Sequence, residues 1–354
     1  MNGGVRAGVS GGIEYPPLDL PEGTTATRIA PELLWLRHRV PGSLNHINLW
    51  LFDEGDAWTL VDTGMNLPET RVAWEAQFDR VLQRRPIRRL IITHDHPDHF
   101  GLAQWLVERH GCALWMTRAE HAIIDGFING SGASVEVLDD RICTMFGMER
   151  DAESDRLGRG FGFRSIFSGV PRPDHCPVDG EVIEIAGHRW TAIVHGGHAD
   201  EQLMLHDPAR GLFISADQVL PRISSNIGIF PARAPVDPLA DYLESLAQLA
   251  LLPGDPLVLP SHGRVFRGLR ARIEALLAHH AGFLERMAAA ATHAVTVQEL
   301  SMRMFPQPLD ATNRFMAMAE TLAHARYLTR RGRLEQSRDP EGRDCYRSST
   351  AVQR

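Results

Sequence analysis

Thr93-His94-Asp95-His96-Pro97-Asp98-His99 follows directly on the apolar run Leu90-Ile91-Ile92. Seven residues therefore carry three imidazoles and two carboxylates at the end of a segment that reads as a strand. A strand ending in a loop of nitrogen and oxygen donors suits a hard-to-borderline divalent metal. His94 and His96 share the two-residue register of an extended chain, so both can face one point. Asp98 and His99 lie at the turn into a helical-looking segment, 98–109, and can face a second point. Two metals are the expectation. A lone histidine is more often a surface or core residue than a ligand, but three in seven residues is not the pattern of a solvated loop.

The same arrangement recurs along the chain. Val61-Asp62-Thr63-Gly64 follows the strand-like Trp58-Thr59-Leu60, and His195-Gly196-Gly197-His198 follows Thr191-Ala192-Ile193-Val194. The run 211–217 ends on Asp217, and Leu257-Val258-Leu259-Pro260-Ser261 ends on His262. Each Asp or His taken singly reads as a cap or a satisfied polar residue. Five such sites in order, each closing an apolar strand, resemble the metallo-β-lactamase fold hydrolases with their HxHxDH motif, over residues 28–270.

That resemblance implies an α/β fold, an αββα sandwich with the metals where strand ends meet. It places His94, His96 and His198 on one ion and Asp98, His99 and His262 on the other, with Asp217 bridging them. Asp62 would support the metal loop from behind. Zinc is the first expectation for both ions, and iron or manganese tolerate the same donors. A bound zinc lowers the pKa of water to about 7, so the expected nucleophile is a metal-held hydroxide attacking a carbonyl. Asp98 is also the candidate catalytic residue, orienting the nucleophile and passing its proton to the leaving atom. His195 and Gly196 stand where the family often has Thr and Pro, which leaves His195 as an extra ligand, a proton shuttle or a packed residue.

Composition narrows the rest. All 37 basic residues are arginine, which excludes Schiff-base catalysis and a P-loop lysine. No apolar run approaches the roughly 20 residues that span a bilayer, and residues 1–23 lack the apolar core of an export signal. The four cysteines, Cys112, Cys143, Cys176 and Cys345, form no CxxC pair, which suits reduced thiols in a cytoplasm and no thiolate ligation. A cytoplasmic, metal-dependent hydrolase is expected.

The organisation reads as a flexible leader (1–23), a main domain (24–270) and a C-terminal part (271–354). Strands are expected at 32–40, 47–53, 58–61, 88–93 and 113–116, then at 182–186, 189–195, 203–207, 211–215 and 257–260. A helix is expected over 68–85, from Trp74, Phe78, Val81 and Leu82 at helical spacing. Residues 118–176 look like an insertion, with apolar patches at 142–148 and around Phe161, Phe163 and Phe167. Packing between helices is the plainer account of them, but the segment could also roof the site and receive an acyl chain.

Past Arg264, one long helix to Ala291 is expected, then a capping box at Thr296 and Glu299. A helix at 309–328 and a hairpin around Asp339-Pro340-Glu341-Gly342 complete a tail that resembles a small winged-helix module. Its arginines are interleaved with Glu335, Asp339, Glu341 and Asp344, and the formal net charge is −7, a weak basis for phosphate binding. Three readings follow: hydrolysis of an ester, thioester or lactone of a small molecule; cleavage of single-stranded RNA, as in a branch sharing the winged tail; and a non-catalytic metal-binding role, which seven matching ligands disfavour. The expected partner is a small acyl substrate. Nucleic acid is less favoured, no membrane is implied, and homo-oligomerisation stays open. Arg222, Asn226 and Arg264 are candidate substrate anchors, with surface pairing the plainer alternative.

Overall fold

The computed structural model describes residues 8–130, 135–149, 164–230 and 237–349. The chain divides into two compact units, one of residues 1–130, 163–225 and 247–273, the other of 131–162, 226–246 and 274–354.

The first unit opens with a small hairpin, β1 (Gly8–Ser10) and β2 (Ile13–Tyr15). A six-stranded sheet follows in spatial order β3 (Thr27–Ala30), β4 (Leu33–Arg39), β5 (His46–Asp53), β6 (Trp58–Val61), β7 (Ile87–Ile91), β8 (Ala113–Trp115). The pairs β6–β7 and β7–β8 are parallel. The connections carry α1 (Pro68–Arg80), α2 (Pro97–Phe100), α3 (Ala103–His110) and, after β8, α4 (Arg118–Ile128). A five-stranded sheet holds β9 (Val182–Ile185), β10 (His188–His195), β11 (Gln202–Asp207), β12 (Leu212–Ala216) and β13 (Leu257–Pro260), in reverse spatial order.

Side-chain alternation decides how these layers stack. On β4, Leu33 and Trp35 join Trp50, Phe52, Val61 and Ile91 in a core shared with Ile183, Trp190, Leu203, Ile214 and Leu259 of the second sheet. Leu34 and Leu36 face the other way, into a core with Trp74, Phe78, Leu102 and Leu106 of the helices. Because both faces of the first sheet are covered, β4 reads as an unbroken apolar run rather than an alternating one. Phe167 lies in the helix-side core, its ring 6.4 Å from those of Phe100 and Phe127. It packs there as a core residue, and Phe161 and Phe163 lie outside the described residues.

Three helix boundaries differ from expectation. Helix α1 stops at Arg80 instead of Arg85, because Gln83 and Arg84 take φ of 53° and 59°, which no helix accommodates. The segment 98–109 is broken into α2 and α3. The Leu102 N–H leaves the helical ladder to donate to the Thr63 hydroxyl at 3.1 Å. Gly101 permits the break, since a Cβ there would run into the Pro97 carbonyl and approach Asn66 N and Gly64 O. The long helix begins at Leu269, not Arg264, because Phe266 pairs with Val258 (3.1 and 2.8 Å) and Gly268 has φ of 94°.

Within the second unit lie α5 (Val135–Phe146), α8 (Val297–Met304), α9 (Ala311–Arg330) and a sheet ordered β14 (Val295–Thr296), β16 (Asp344–Ser348), β15 (Leu334–Arg338). Two further helices, α6 (Pro238–Leu249) and α7 (Leu269–Ala290), have their larger parts here. Thr296 and Glu299 form the capping box, and the Asp339 carboxylate closes the hairpin by accepting from Glu341 N and Arg343 N. The apolar patch at 142–148 is packing: Phe146 and Met148 are buried, and Phe146 meets Phe315 edge-on at 5.6 Å. No helix among the described residues is long and apolar enough to cross a membrane.

Candidate metal centre

The seven candidate ligands come from four strand ends and one short helix of the first unit. The loop after β7 supplies His94 and His96, and α2 supplies Asp98 and His99. His198 follows β10, Asp217 follows β12 and His262 follows β13. Their donor atoms gather into three overlapping sets, each within 4.8 Å: His94, His96 and His198; His94, His99 and Asp217; Asp98, His99 and His262. His195, at the end of β10 opposite Gln202, belongs to none of these sets. No cysteine does either.

The tautomers follow from what stands behind the rings. A carbonyl can only accept, so His262 Nδ1–H donates to His46 O at 2.6 Å and its Nε2 turns toward the carboxylates. His99 Nδ1 donates to Asp62 Oδ2 at 2.8 Å. Asp62 also accepts the Thr93 N–H (2.9 Å) and the Thr93 hydroxyl. With its proton so committed, the hydroxyl receives His94 Nδ1–H at 3.0 Å, which leaves His94 Nε2 aimed inward. One buried carboxylate thus orients His99 directly and His94 through Thr93, as outer partners of metal-binding imidazoles do. To do so Asp62 holds φ of 62°, a left-handed conformation that Asp tolerates better than most residues.

Several features fit a cation. His94 Nε2 and His198 Nε2 each stand 3.0 Å from His96 Nδ1, three ring nitrogens converging on one another. Asp98 Oδ2, His99 Nε2, Asp217 Oδ1 and His262 Nε2 are buried without a well-formed hydrogen bond, facing their nearest charged neighbours only at 3.3–3.7 Å, although buried polar groups are ordinarily satisfied. The field is divided. Burial, then the neighbouring imidazoles of His99, His96 and His198, push His94 well below its ordinary pKa. Burial also opposes charge on His99 and His262, but Asp62, Asp98 and Asp217 outweigh it for His99, and Asp217 and Asp98 raise His262 to about 10. Asp98 and Asp217 are themselves held low by those imidazoles against the effect of burial. The carboxylate side therefore calls for positive charge, and the His94 side offers neutral lone pairs.

The family model described as the metallo-beta-lactamase superfamily matches residues 42–262. The chain belongs to that superfamily. A second model, the metallo-beta-lactamase-like C-terminal domain, matches residues 284–349. The chain is similar to a crystal structure of a beta-lactamase domain protein from Burkholderia ambifaria. That likeness has 35% identity and a TM-score of 0.85, and covers 95% of this chain and 98% of that one. It is 25% identical to a probable metallo-hydrolase, YqjP, of Bacillus subtilis, over 83% of this chain and 91% of the relative. It is also 25% identical to the human acyl-coenzyme A thioesterase MBLAC2, over 66% of this chain and 79% of the relative. The expected metallo-β-lactamase fold and hydrolase class therefore hold.

Other residues of the site carried no sequence signal. His46 accepts the Gly263 N–H at Nε2 (2.7 Å) while its carbonyl holds His262. Asn48, fully buried, donates to Pro260 O and Gly263 O and fixes the same loop. The candidate anchors have structural partners. Arg264 donates to Pro16 O and Leu18 O, Asn226 to Met316 O and Glu320, and the Arg222 guanidinium lies 5.9 Å from the Tyr15 ring.

Proposed function

We propose that this chain hydrolyses an ester, thioester or lactone of a small molecule at a two-metal centre. The convergence of His94, His96, His198, Asp98, His99, His262 and Asp217 carries this reading. His94, His96 and His198 would hold one ion, Asp98, His99 and His262 the other, and Asp217 would stand between them. Zinc is the first choice for so imidazole-rich a set, with iron or manganese as alternatives. Such ions supply charge that polarises a carbonyl and acidifies water to a pKa of about 7.

The chain's own residues do the rest. His99 and His262 have their Nδ1 protons committed to Asp62 and to the His46 carbonyl, so they serve as fixed donors and not as proton carriers. Asp98, held ionised by His99 and His262, with Oδ2 3.4 Å from His262 Nε2, would take the proton of the attacking water and return it to the leaving oxygen or sulfur. No Ser or Cys nucleophile is needed.

The thioester option gains support from the likeness to an acyl-coenzyme A thioesterase. Ribonuclease action finds less, because four of the C-terminal arginines have an acidic partner. Arg333 pairs with Glu285 (2.7 Å), Arg343 with Asp339 (2.7 Å), Arg347 with Glu335 (2.8 Å) and Arg338 with Asp344 (3.4 Å). Residues 271–354 would then be a packing or dimerisation module of winged-helix type, residues 24–270 the catalytic domain, in a cytoplasmic enzyme. The test is turnover by zinc-reconstituted protein on acyl thioesters, esters and lactones against single-stranded RNA, with His96→Ala as blank. Zinc-dependent release of thiol or acid is expected, and cleavage of RNA alone would overturn the assignment.

A further inference from the structure

Glu120 sits on the first turn of α4, outside every motif of the metal site, yet it is 0% exposed. Burial of a carboxylate is costly unless strong donors meet it. Here they come from two separate loops. Glu120 Oε2 accepts the backbone N–H of Asp95 at 3.0 Å, and Oε1 accepts that of Glu201 at 2.9 Å. Asp95 is the residue between His94 and His96, and Glu201 lies three residues beyond His198. One side chain thus ties together the two loops that carry the three-histidine set.

The tie is reciprocal. Glu201 Oε2 accepts the Ala119 N–H (3.0 Å) at the start of α4, and the Thr117 hydroxyl donates to Glu201 O (2.9 Å). A carboxylate is well placed there, since the N-terminus of a helix presents unpaired N–H groups and a positive dipole end. The Leu203 N–H, donating to Thr93 O at 2.9 Å, closes the same seam from the sheet side. Loosening this seam lets His198 drift relative to His94 and His96, whose ring nitrogens stand only 3.0 Å from one another.

We propose that Glu120 is a positioning residue for the three-histidine metal set, a clamp that fixes the separation of the His94–His96 loop from the His198 loop. It touches neither metal nor substrate. The inference rests on the reading of His94, His96 and His198 as metal ligands. Glu120→Gln keeps the shape but sets an NH₂ against one of the two N–H donors, so one loop is released. Ile124→Ala, four residues along the same helix and buried in the helix-side core, destabilises α4 without touching either loop.

The experiment measures zinc affinity by chelator competition, and amide hydrogen exchange at Asp95 and Glu201, in the full-length chain. Wild type, Glu120→Gln, Ile124→Ala and His96→Ala are compared. The expected result is a fall in zinc affinity of about 10- to 100-fold in Glu120→Gln, with faster exchange at Asp95 or Glu201. Ile124→Ala should hold zinc within about threefold of wild type even where its metal-free unfolding midpoint falls as far. Equal loss of affinity in both variants reduces Glu120 to a stability residue and overturns the clamp, as does wild-type affinity in Glu120→Gln. Absence of zinc binding in the wild type sinks the metal reading itself, whereas zinc lost only in His96→Ala sinks the clamp alone. Should Glu120→Gln fail to fold, Glu201→Gln loosens the same seam through Ala119 and must weaken zinc binding at least about threefold.

Discussion

Replacing Asp62 by Asn isolates how much of the candidate metal site depends on one buried acceptor. Asn tolerates the φ of 62° at this position, so the backbone is spared. Its amide oxygen can still accept the Thr93 N–H that Asp62 Oδ1 takes at 2.9 Å. Its NH₂, however, stands where Oδ2 received both His99 Nδ1–H (2.8 Å) and the Thr93 hydroxyl (2.9 Å). The His99 hydrogen bond to a charged group, worth about 1.5–3 kcal/mol, is lost at a position 1% exposed, and the Thr93 hydroxyl keeps only its longer contact with Oδ1 at 3.1 Å. The metal-free protein should therefore lose about 1.5–3 kcal/mol, read as a drop in urea midpoint at unchanged m-value. His99 loses its fixed tautomer, and the Thr93 hydroxyl that orients His94 is held by a single, longer hydrogen bond. Zinc affinity should fall by about 10- to 100-fold, read by chelator competition, with the circular dichroism spectrum retained. Zinc binding within twofold of wild type would refute the view that Asp62 sets the direction of two ligands.

Three further outcomes follow from the same geometry. His96→Ala and Asp217→Ala should abolish turnover and lower metal content while the sandwich stays folded; full activity in metal-verified samples would contradict the ligand set. Gly101→Ala should cost about 1–3 kcal/mol in thermal or denaturant stability, because its Cβ has only the Pro97 carbonyl and the 64–66 backbone to enter; an unchanged midpoint would show that α2 can shift freely. In the second unit His280 and His324 are fully buried, with their rings linked at 3.0 Å, and burial lowers them to about 3 and about 4. The native state refuses protons that the unfolded chain accepts, so the stability present above pH 6.5 should be lost as pH falls toward 4, by about 3 kcal/mol for His324 alone. Urea midpoints between pH 7.5 and 5 should show this slope, and His324→Gln should flatten it.

The candidate ligand positions were readable because each closes an apolar strand or, for Asp98 and His99, opens the short helix just after one. Both sheets were legible for a related reason: runs such as Leu33-Leu34-Trp35-Leu36 have the density of strands covered on both faces. The helix boundaries were less so. The end of α1 is set by the left-handed turn at Gln83 and Arg84, and the break at Leu102 by a hydroxyl 39 residues away. Neither leaves a mark in local periodicity. Glu120 and His46 were invisible for the same cause, since their partners are backbone groups up to 81 and 217 residues distant. A side chain that accepts from a peptide N–H needs no complementary residue type, so no spacing rule points to it.

Metal stoichiometry tests the central claim most directly. Wild-type protein and the His96→Ala and His262→Ala variants would be loaded with zinc, freed of excess and measured for metal per chain by elemental analysis. Two ions per chain in the wild type, with each variant losing at least one, is the predicted result. One ion or none in the wild type, or two retained in either variant, would contradict the two-metal centre.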